Sequence, residues 1–372
     1  MNDLASSPAS NDSSALDARH MARALELAAQ GLYTTDPNPR VGCVLVRDGR
    51  VIGEGWHVRA GEPHAEVLAL RSAAGQAQGA TAYVTLEPCS HTGRTPPCAD
   101  ALIAAGIARV VCASVDPNPK VAGGGIGRLT AAGIAVTAEV RADEARALNV
   151  GFFSRFERGR PFIRLKLAMS LDARTAPAGG GKTWISGEAS RADVQVWRAR
   201  SSAILTGAGT VRVDDPRLDV RLAYGPWVRQ PLRVVLDPEL TCAPNSRVFG
   251  DENALIFAAA DAPERHPRAV RTERIPRSVR GLDLNAVIER LTALEANELL
   301  VECGPRLAAA FLEAHLVDEL ILYVAPHFLG ADAAPLAALP GLDNPAALPQ
   351  FEFRDQRLIH NDLRLVLTPK RA

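Results

Sequence analysis

Three side chains at fixed stations constrain this chain more than any other feature. His64 opens the triplet His64-Ala65-Glu66 at the start of a predicted helix, Cys89 follows Pro88 beyond a predicted strand, and Cys98 sits just inside the next helix. Zinc takes imidazole and thiolate ligands in a tetrahedron, and three protein ligands leave the fourth position to water, which marks a catalytic rather than a structural site. Bound zinc brings the pKa of that water toward ~7. A carboxylate outside the ligand set must then carry protons to the leaving group, and Glu66, two residues beyond His64, is placed to do so. A closed structural site with His91 as fourth ligand is the competing arrangement, but it leaves Glu66 without a role.

The surroundings alternate between strand and helix patterns, which predicts layered α/β architecture. Helical spacing runs from about Leu16 to Gln30, and VGCVLV, Asp48-Gly49 and VIGEGW predict a hairpin. A helix opens at Pro63, strand TAYVTL covers 81–86, a helix runs from Cys98 to about Ala105, and a strand covers Arg109–Ser114. A last helix near Gly127–Ala132 leads into IAVTAEV. A second α/β pattern starts at Phe162, with strands FIRLKLAM, SAILTG, LRVVLD, ALIFAA, ELLVE and ELILYVAP; the Pro- and Arg-rich stretch 260–280 reads as an exposed loop. With 372 residues, two domains are expected. The division predicted is a flexible tail over 1–15, a metal-site domain over 16–150, a linker over 151–160 and a second domain over 161–372.

Lys and Arg number 42 against 42 Asp and Glu, so no overall charge draws the chain to nucleic acid or a membrane surface. The six cysteines are sparse and do not form a disulfide framework, which points to a reducing compartment, the cytoplasm. No apolar run reaches the ~18 residues of a membrane-spanning helix.

H-x-E with P-C-x-x-C is the signature of zinc nucleobase deaminases. This chain has His64-Ala65-Glu66 and Pro88-Cys89, but SHTGRTPP separates Cys89 from Cys98. The longer stretch TLEPCSHTGRTPPC, with PNPRVGCVLV, GEGWH, AGEPHAEVLAL and DPNPKVAGGG, resembles the bifunctional riboflavin-biosynthesis deaminase-reductases of bacteria, whose pattern includes that wider cysteine window. LKLAMSLDARTA, TWISG, SSAILTGAGTVRVDDPRL, VECGPRLAAAFL and LVDELILYVAPHFLG resemble the reductase half of the same family.

The resemblance implies an N-terminal cytidine-deaminase-like domain and a C-terminal dihydrofolate-reductase-like domain. It implies zinc on His64, Cys89 and Cys98, with Glu66 as proton shuttle. The substrate it implies is a small molecule, a phosphorylated ribosylaminopyrimidine: the first domain removes an amino group, and the second uses NADPH to reduce ribosyl to ribityl. A homo-oligomer is compatible with it. For NADPH it implies Ala168, Trp184, Thr210, Asp214 and the turn and helix start Gly304, Pro305, Arg306, Leu307, Ala308, Ala309 and Ala310. For the substrate it implies Lys182, Arg198, Leu218, Arg221 and Glu302.

The residues themselves support part of this. Strand ELLVE runs into Cys303-Gly304-Pro305 and a helix, and a glycine turn opening a helix offers N–H groups and a positive dipole end to phosphate. Arg198 and Arg221 suit a substrate phosphate, which arginine grips bidentately. Lys166, in an apolar strand, needs a reason to be there and is a further substrate candidate. Asn38 and His57 flank the first site's loops and either hold substrate or, for Asn38, form a turn. Two motifs are decoys: GGGIG at 123–127 follows a loop rather than a strand, and Gly181-Lys182-Thr183 lacks the leading glycine of a phosphate loop. Two other functions compete. An RNA deaminase would need basic surface, and a non-catalytic zinc scaffold would have no use for Glu66.

Overall fold

In the first half of the chain the apolar runs close on one twisted sheet. A computed structural model describes residues 8–90, 97–179, 181, 183–222, 228–263, 270–339 and 348–370. Its first unit, Met1–Arg158, runs α1 (Pro8–Ala29), β1 (Gly42–Arg47), β2 (Arg50–Trp56), α2 (Ala65–Ser72), β3 (Thr81–Val84), α3 (Cys98–Ala104), β4 (Arg109–Cys112), α4 (Gly124–Ala131), β5 (Ala135–Thr137), α5 (Ala142–Leu148) and α6 (Val150–Arg158). The strand order is β2-β1-β3-β4-β5. β1 is antiparallel to both its neighbours, and β3, β4 and β5 are parallel. Successive side chains on a strand face opposite ways. Cys43 and Leu45 of β1 therefore enter one core with Ala65, Ala69 and Leu102, while Val44 and Val46 enter the other with Met21 and Ala24.

The second unit, Gly159–Ala372, contains β6 (Phe162–Ser170), β7 (Arg174–Ala176), α7 (Glu188–Arg200), β8 (Ala203–Gly207), α8 (Ala208–Asp214), β9 (Leu232–Leu236), β10 (Ala254–Ala259), β11 (Arg271–Ile275), β12 (Arg277–Ser278), β13 (Gly281–Leu282), α9 (Leu284–Ala293), β14 (Glu298–Glu302), α10 (Pro305–Glu313), β15 (Glu319–Ala325), β16 (Ala334–Pro335), β17 (Phe351–Ile359) and β18 (Asp362–Pro369). Nine of these strands form one sheet in the order β11-β10-β9-β8-β14-β6-β15-β18-β17. From β11 to β15 all neighbours run parallel. Parallel strands covered on both faces read as unbroken apolar runs, and every residue of β10 is buried.

Five expectations change. α1 starts at Pro8, within the span expected to be a tail, and α2 starts at Ala65, with Pro63 outside it. α4 starts at Gly124 rather than Gly127. Residues 151–158, expected as linker, belong to α6, because Phe152 and Phe153 bury their rings against Leu86. The stretch expected as an exposed loop contributes edge strand β11, which pairs with β10 and buries Ile275.

Candidate active sites

The first site gathers where α2, α3 and the loop after the central strand β3 meet. Helix α2 lies directly on β2, where a side chain at Gly55 would put its Cβ 2.5 Å from the Ala65 carbonyl and from the Ala69 nitrogen. That close approach sets the helix start, with His64 as its N-cap and Glu66 in its first turn. Cys98 is the first residue of α3, and Cys89 lies in the loop after β3. His64 Nδ1 is 3.1 Å from Cys98 Sγ and 3.7 Å from Cys89 Sγ. The Cys98 backbone N–H donates to Cys89 Sγ at 3.3 Å. One ligand atom from each of the three residues lies within 4.8 Å of the others. A zinc tetrahedron of imidazole and thiolates has edges of about 3.5–3.8 Å, so the set fits that metal. His91 lies outside the described residues.

Glu66 is 3% exposed, and its Oε2 has no hydrogen-bond partner. Burial pushes its carboxyl pKa up, against the pull of His64. A buried acid with an oxygen left unbonded is costly and suits a group that exchanges protons with something bound beside it. Hydrogen bonding from Cys98 and His64 draws the Cys89 thiol pKa down, toward the thiolate that zinc requires.

Asn38 and His57 meet each other. The Asn38 backbone N–H donates to the Thr35 carbonyl at 2.9 Å, which is a turn, and Asn38 Nδ2 lies 3.1 Å from His57 Nε2. His57 Nδ1 is 3.2 Å from the Pro63 carbonyl, so Nδ1 carries the proton and Nε2 accepts from Asn38. Burial lowers the His57 pKa, which keeps the ring neutral, and it packs edge-on against His64 with centroids 5.3 Å apart.

The second site is a cavity of about 1390 Å³ within the second unit. Lining it are Lys166, Ala168, Trp184, Arg198, Thr210, Asp214, Leu218, Arg221 and Glu302. Gly304, Pro305, Arg306, Leu307 and Ala310 line it as well. Ala308 and Ala309 do not. Both are 0% exposed, and the Ala308 N–H donates to the Gly304 carbonyl at 3.1 Å. Lys182 lies outside the described residues.

Within the cavity, Glu302 on β14 is in register with Lys166 on β6. Arg198 donates to both Glu302 oxygens at 2.6 and 2.8 Å and to the Asp219 carbonyl at 3.2 Å. Burial alone would raise the Glu302 pKa, but the charges of Arg198 and Lys166 overcome it and hold the carboxyl low. Burial pulls the Lys166 ammonium down. Arg198 is thus paired with Glu302, whereas the half-exposed Arg221 pairs with Asp219. Leu218 adopts a left-handed backbone at φ +52°, a conformation that costs a non-glycine residue about 1–3 kcal/mol and gathers at functional sites. Hairpin β12–β13 brings Ser278 and Arg280 to the cavity from the segment expected to be a loop; no motif marks them.

Residues 14–114 match the model of the cytidine and deoxycytidylate deaminase zinc-binding region, and residues 161–365 that of the RibD C-terminal domain. The riboflavin biosynthesis protein RibD of Escherichia coli K12 is 51% identical over 362 residues, which cover 94% of this chain and 99% of that protein. The solved structure of Acinetobacter baumannii RibD aligns with a TM-score of 0.90 at 43% identity, over 96% of this chain and all of that one. A Thermotoga maritima structure described as a diaminohydroxyphosphoribosylaminopyrimidine deaminase/5-amino-6-(5-phosphoribosylamino)uracil reductase aligns at 0.85 and 33% identity, over 96% of this chain and 99% of that one. With two domain matches in series and relatives similar along almost their whole length, the chain belongs to the RibD family, the deaminase-reductases of riboflavin biosynthesis.

Proposed function

We propose that the first unit hydrolyses the 2-amino group of 2,5-diamino-6-(5-phosphoribosylamino)pyrimidin-4-one, and that the second reduces the ribosyl group of the product to ribityl with NADPH. The buried, half-bonded Glu66 carboxylate beside His64, Cys89 and Cys98 carries the first half of this reading. Those three residues would hold zinc, which when bound activates a water for attack. Glu66 takes the proton and passes it to the departing amine, so that water and the amino compound become the carbonyl compound and ammonia. The neutral His57, fixed by Asn38 and Pro63, walls the site and presents Asn38 to substrate.

In the second unit the start of α10 at Gly304 receives the NADPH pyrophosphate, with Ala168, Trp184, Thr210 and Asp214 along the same cavity. NADPH supplies the hydride. Lys166 and Glu302 face the ribosyl group, Leu218 shapes the pocket, Arg198 orients Glu302, and Arg221 meets the phosphate. None of the six cysteines is in a disulfide, in keeping with a cytoplasmic enzyme, and among the described residues no helix is long and apolar enough to cross a membrane.

The test is a two-stage assay on the purified chain. Ammonia release from the diaminopyrimidinone phosphate should come first, and NADPH oxidation should follow when the deaminated product is supplied. Ammonia release without NADPH oxidation would leave only the first half standing. A finer check concerns Gly304. Its backbone, at φ −81° and ψ 176°, accepts any residue, and an added Cβ would meet only Thr210 Oγ1, at 3.9 Å. Gly304→Val should therefore fold normally and raise the NADPH Michaelis constant by about tenfold or more, the equivalent of ~1.4 kcal/mol. An unchanged constant would remove this turn from the cofactor site.

A further inference from the structure

We propose that Glu87 is a positioning residue for the metal ligand Cys89, acting through the backbone that carries it; this rests on reading His64, Cys89 and Cys98 as a zinc site. Glu87 is 3% exposed and two residues from Cys89. Its Oε1 accepts the backbone N–H groups of Gly125 at 2.9 Å and Ile126 at 3.0 Å. Its Oε2 accepts those of Asp116 at 3.2 Å and Gly123 at 3.0 Å. The glycine-rich start of α4 therefore does hold an anion, but the anion comes from its own chain. The first N–H groups of a helix lack partners inside it, and the Glu87 carboxylate supplies them.

This clamp presses α4 onto the metal loop. A Cβ at Gly125 would lie 1.8 Å from the Pro88 carbonyl oxygen, so no residue but glycine allows that approach. From the other side α3 holds the same loop: the Ala99 N–H donates to the Cys89 carbonyl at 3.1 Å, and the Cys98 N–H to Cys89 Sγ at 3.3 Å. Cys89 is thus set between two helix starts, and Glu87 supplies the fastening on the α4 side. Only a carboxylate can accept all four bonds, because the amide of glutamine would turn an NH₂ toward two N–H donors.

Groups that orient metal ligands typically change metal affinity by about 10–100-fold when removed. The experiment uses the full chain as wild type, Glu87→Gln, Gly125→Ala and Tyr83→Phe. The last removes the 2.9 Å Tyr83–Asp17 hydrogen bond on the opposite face of the sheet. Zinc affinity is measured by competition with a chromophoric chelator, ligand geometry by the visible absorption of the Co(II)-loaded protein, and stability by melting with and without zinc. Glu87→Gln should bind zinc ~10–100-fold more weakly, alter the Co(II) bands and shrink the rise in melting temperature that zinc confers. Gly125→Ala should do the same by displacing the Pro88 carbonyl, without removing the carboxylate itself. Tyr83→Phe should lower both melting temperatures together and leave zinc affinity unchanged. If Glu87→Gln and Gly125→Ala behave like Tyr83→Phe, Glu87 is only a structural fastening and the proposal fails. If the wild type itself binds no zinc, the metal reading falls and takes the proposal with it, an outcome distinct from the first.

Discussion

Glu66→Gln is expected to slow deamination by ~10²–10⁴-fold, the usual contribution of a placed acid-base group, while zinc stays bound. Glutamine keeps the length and shape of the side chain, so α2 and its contact with β2 are undisturbed. It cannot accept a proton at neutral pH. The raised carboxyl pKa of Glu66 makes the wild-type group able both to take and to give one, and the substitution abolishes that ability. Zinc content should remain that of the wild type, because the ligand atoms belong to His64, Cys89 and Cys98. Reduction of already deaminated substrate should also persist, since every residue lining the large cavity belongs to the second unit. Both rates and the metal content are measured on the one variant. Loss of reduction in a folded, zinc-loaded Glu66→Gln protein would refute two independent sites.

Cys89→Ser and Cys98→Ser should each reduce zinc from about one atom per chain to near zero and abolish ammonia release. A serine hydroxyl does not ionise at neutral pH, and zinc favours thiolate among its protein ligands. Cys98→Ser should disturb the geometry of the site more. The Cys98 sulfur is buried against His64 and the Cys98 backbone N–H also bonds Cys89 Sγ, so a shift at the start of α3 disturbs two ligands. Metal analysis of the purified variants checks this, and full zinc content in both would remove the two thiols from the ligand set.

The metal site was legible because each of its parts carries a local signal: a triplet at a helix start, a Pro-Cys after a strand, a cysteine opening a helix. The stretch 304–310 carries no such residue-by-residue signal: the helical turn of about 100° per residue sends Ala308 and Ala309 into the core while Leu307 and Ala310 face the cavity. Edge strand β11 escaped notice because RTERI is polar along most of its length and buries only Ile275. The hairpin of β17 and β18 was not foreseen either; β17 reads FEFRDQRLI, with five of its nine residues exposed. Glu87 itself gave no signal, since its four partners are backbone groups far along the chain; only the glycine at 125 marks the close approach.

The burial of Phe152 and Phe153 against Leu86 decides where this polypeptide can be cut. A gene fragment stopped at residue 150 would strip both rings from the strand end that leads into Cys89. Burying a phenylalanine contributes about 1.5–3 kcal/mol, so losing two removes a large share of the 5–15 kcal/mol that typically keeps a domain folded. A fragment carried through Arg158 keeps them, and it is the shorter of these two that would yield insoluble or metal-poor protein on expression.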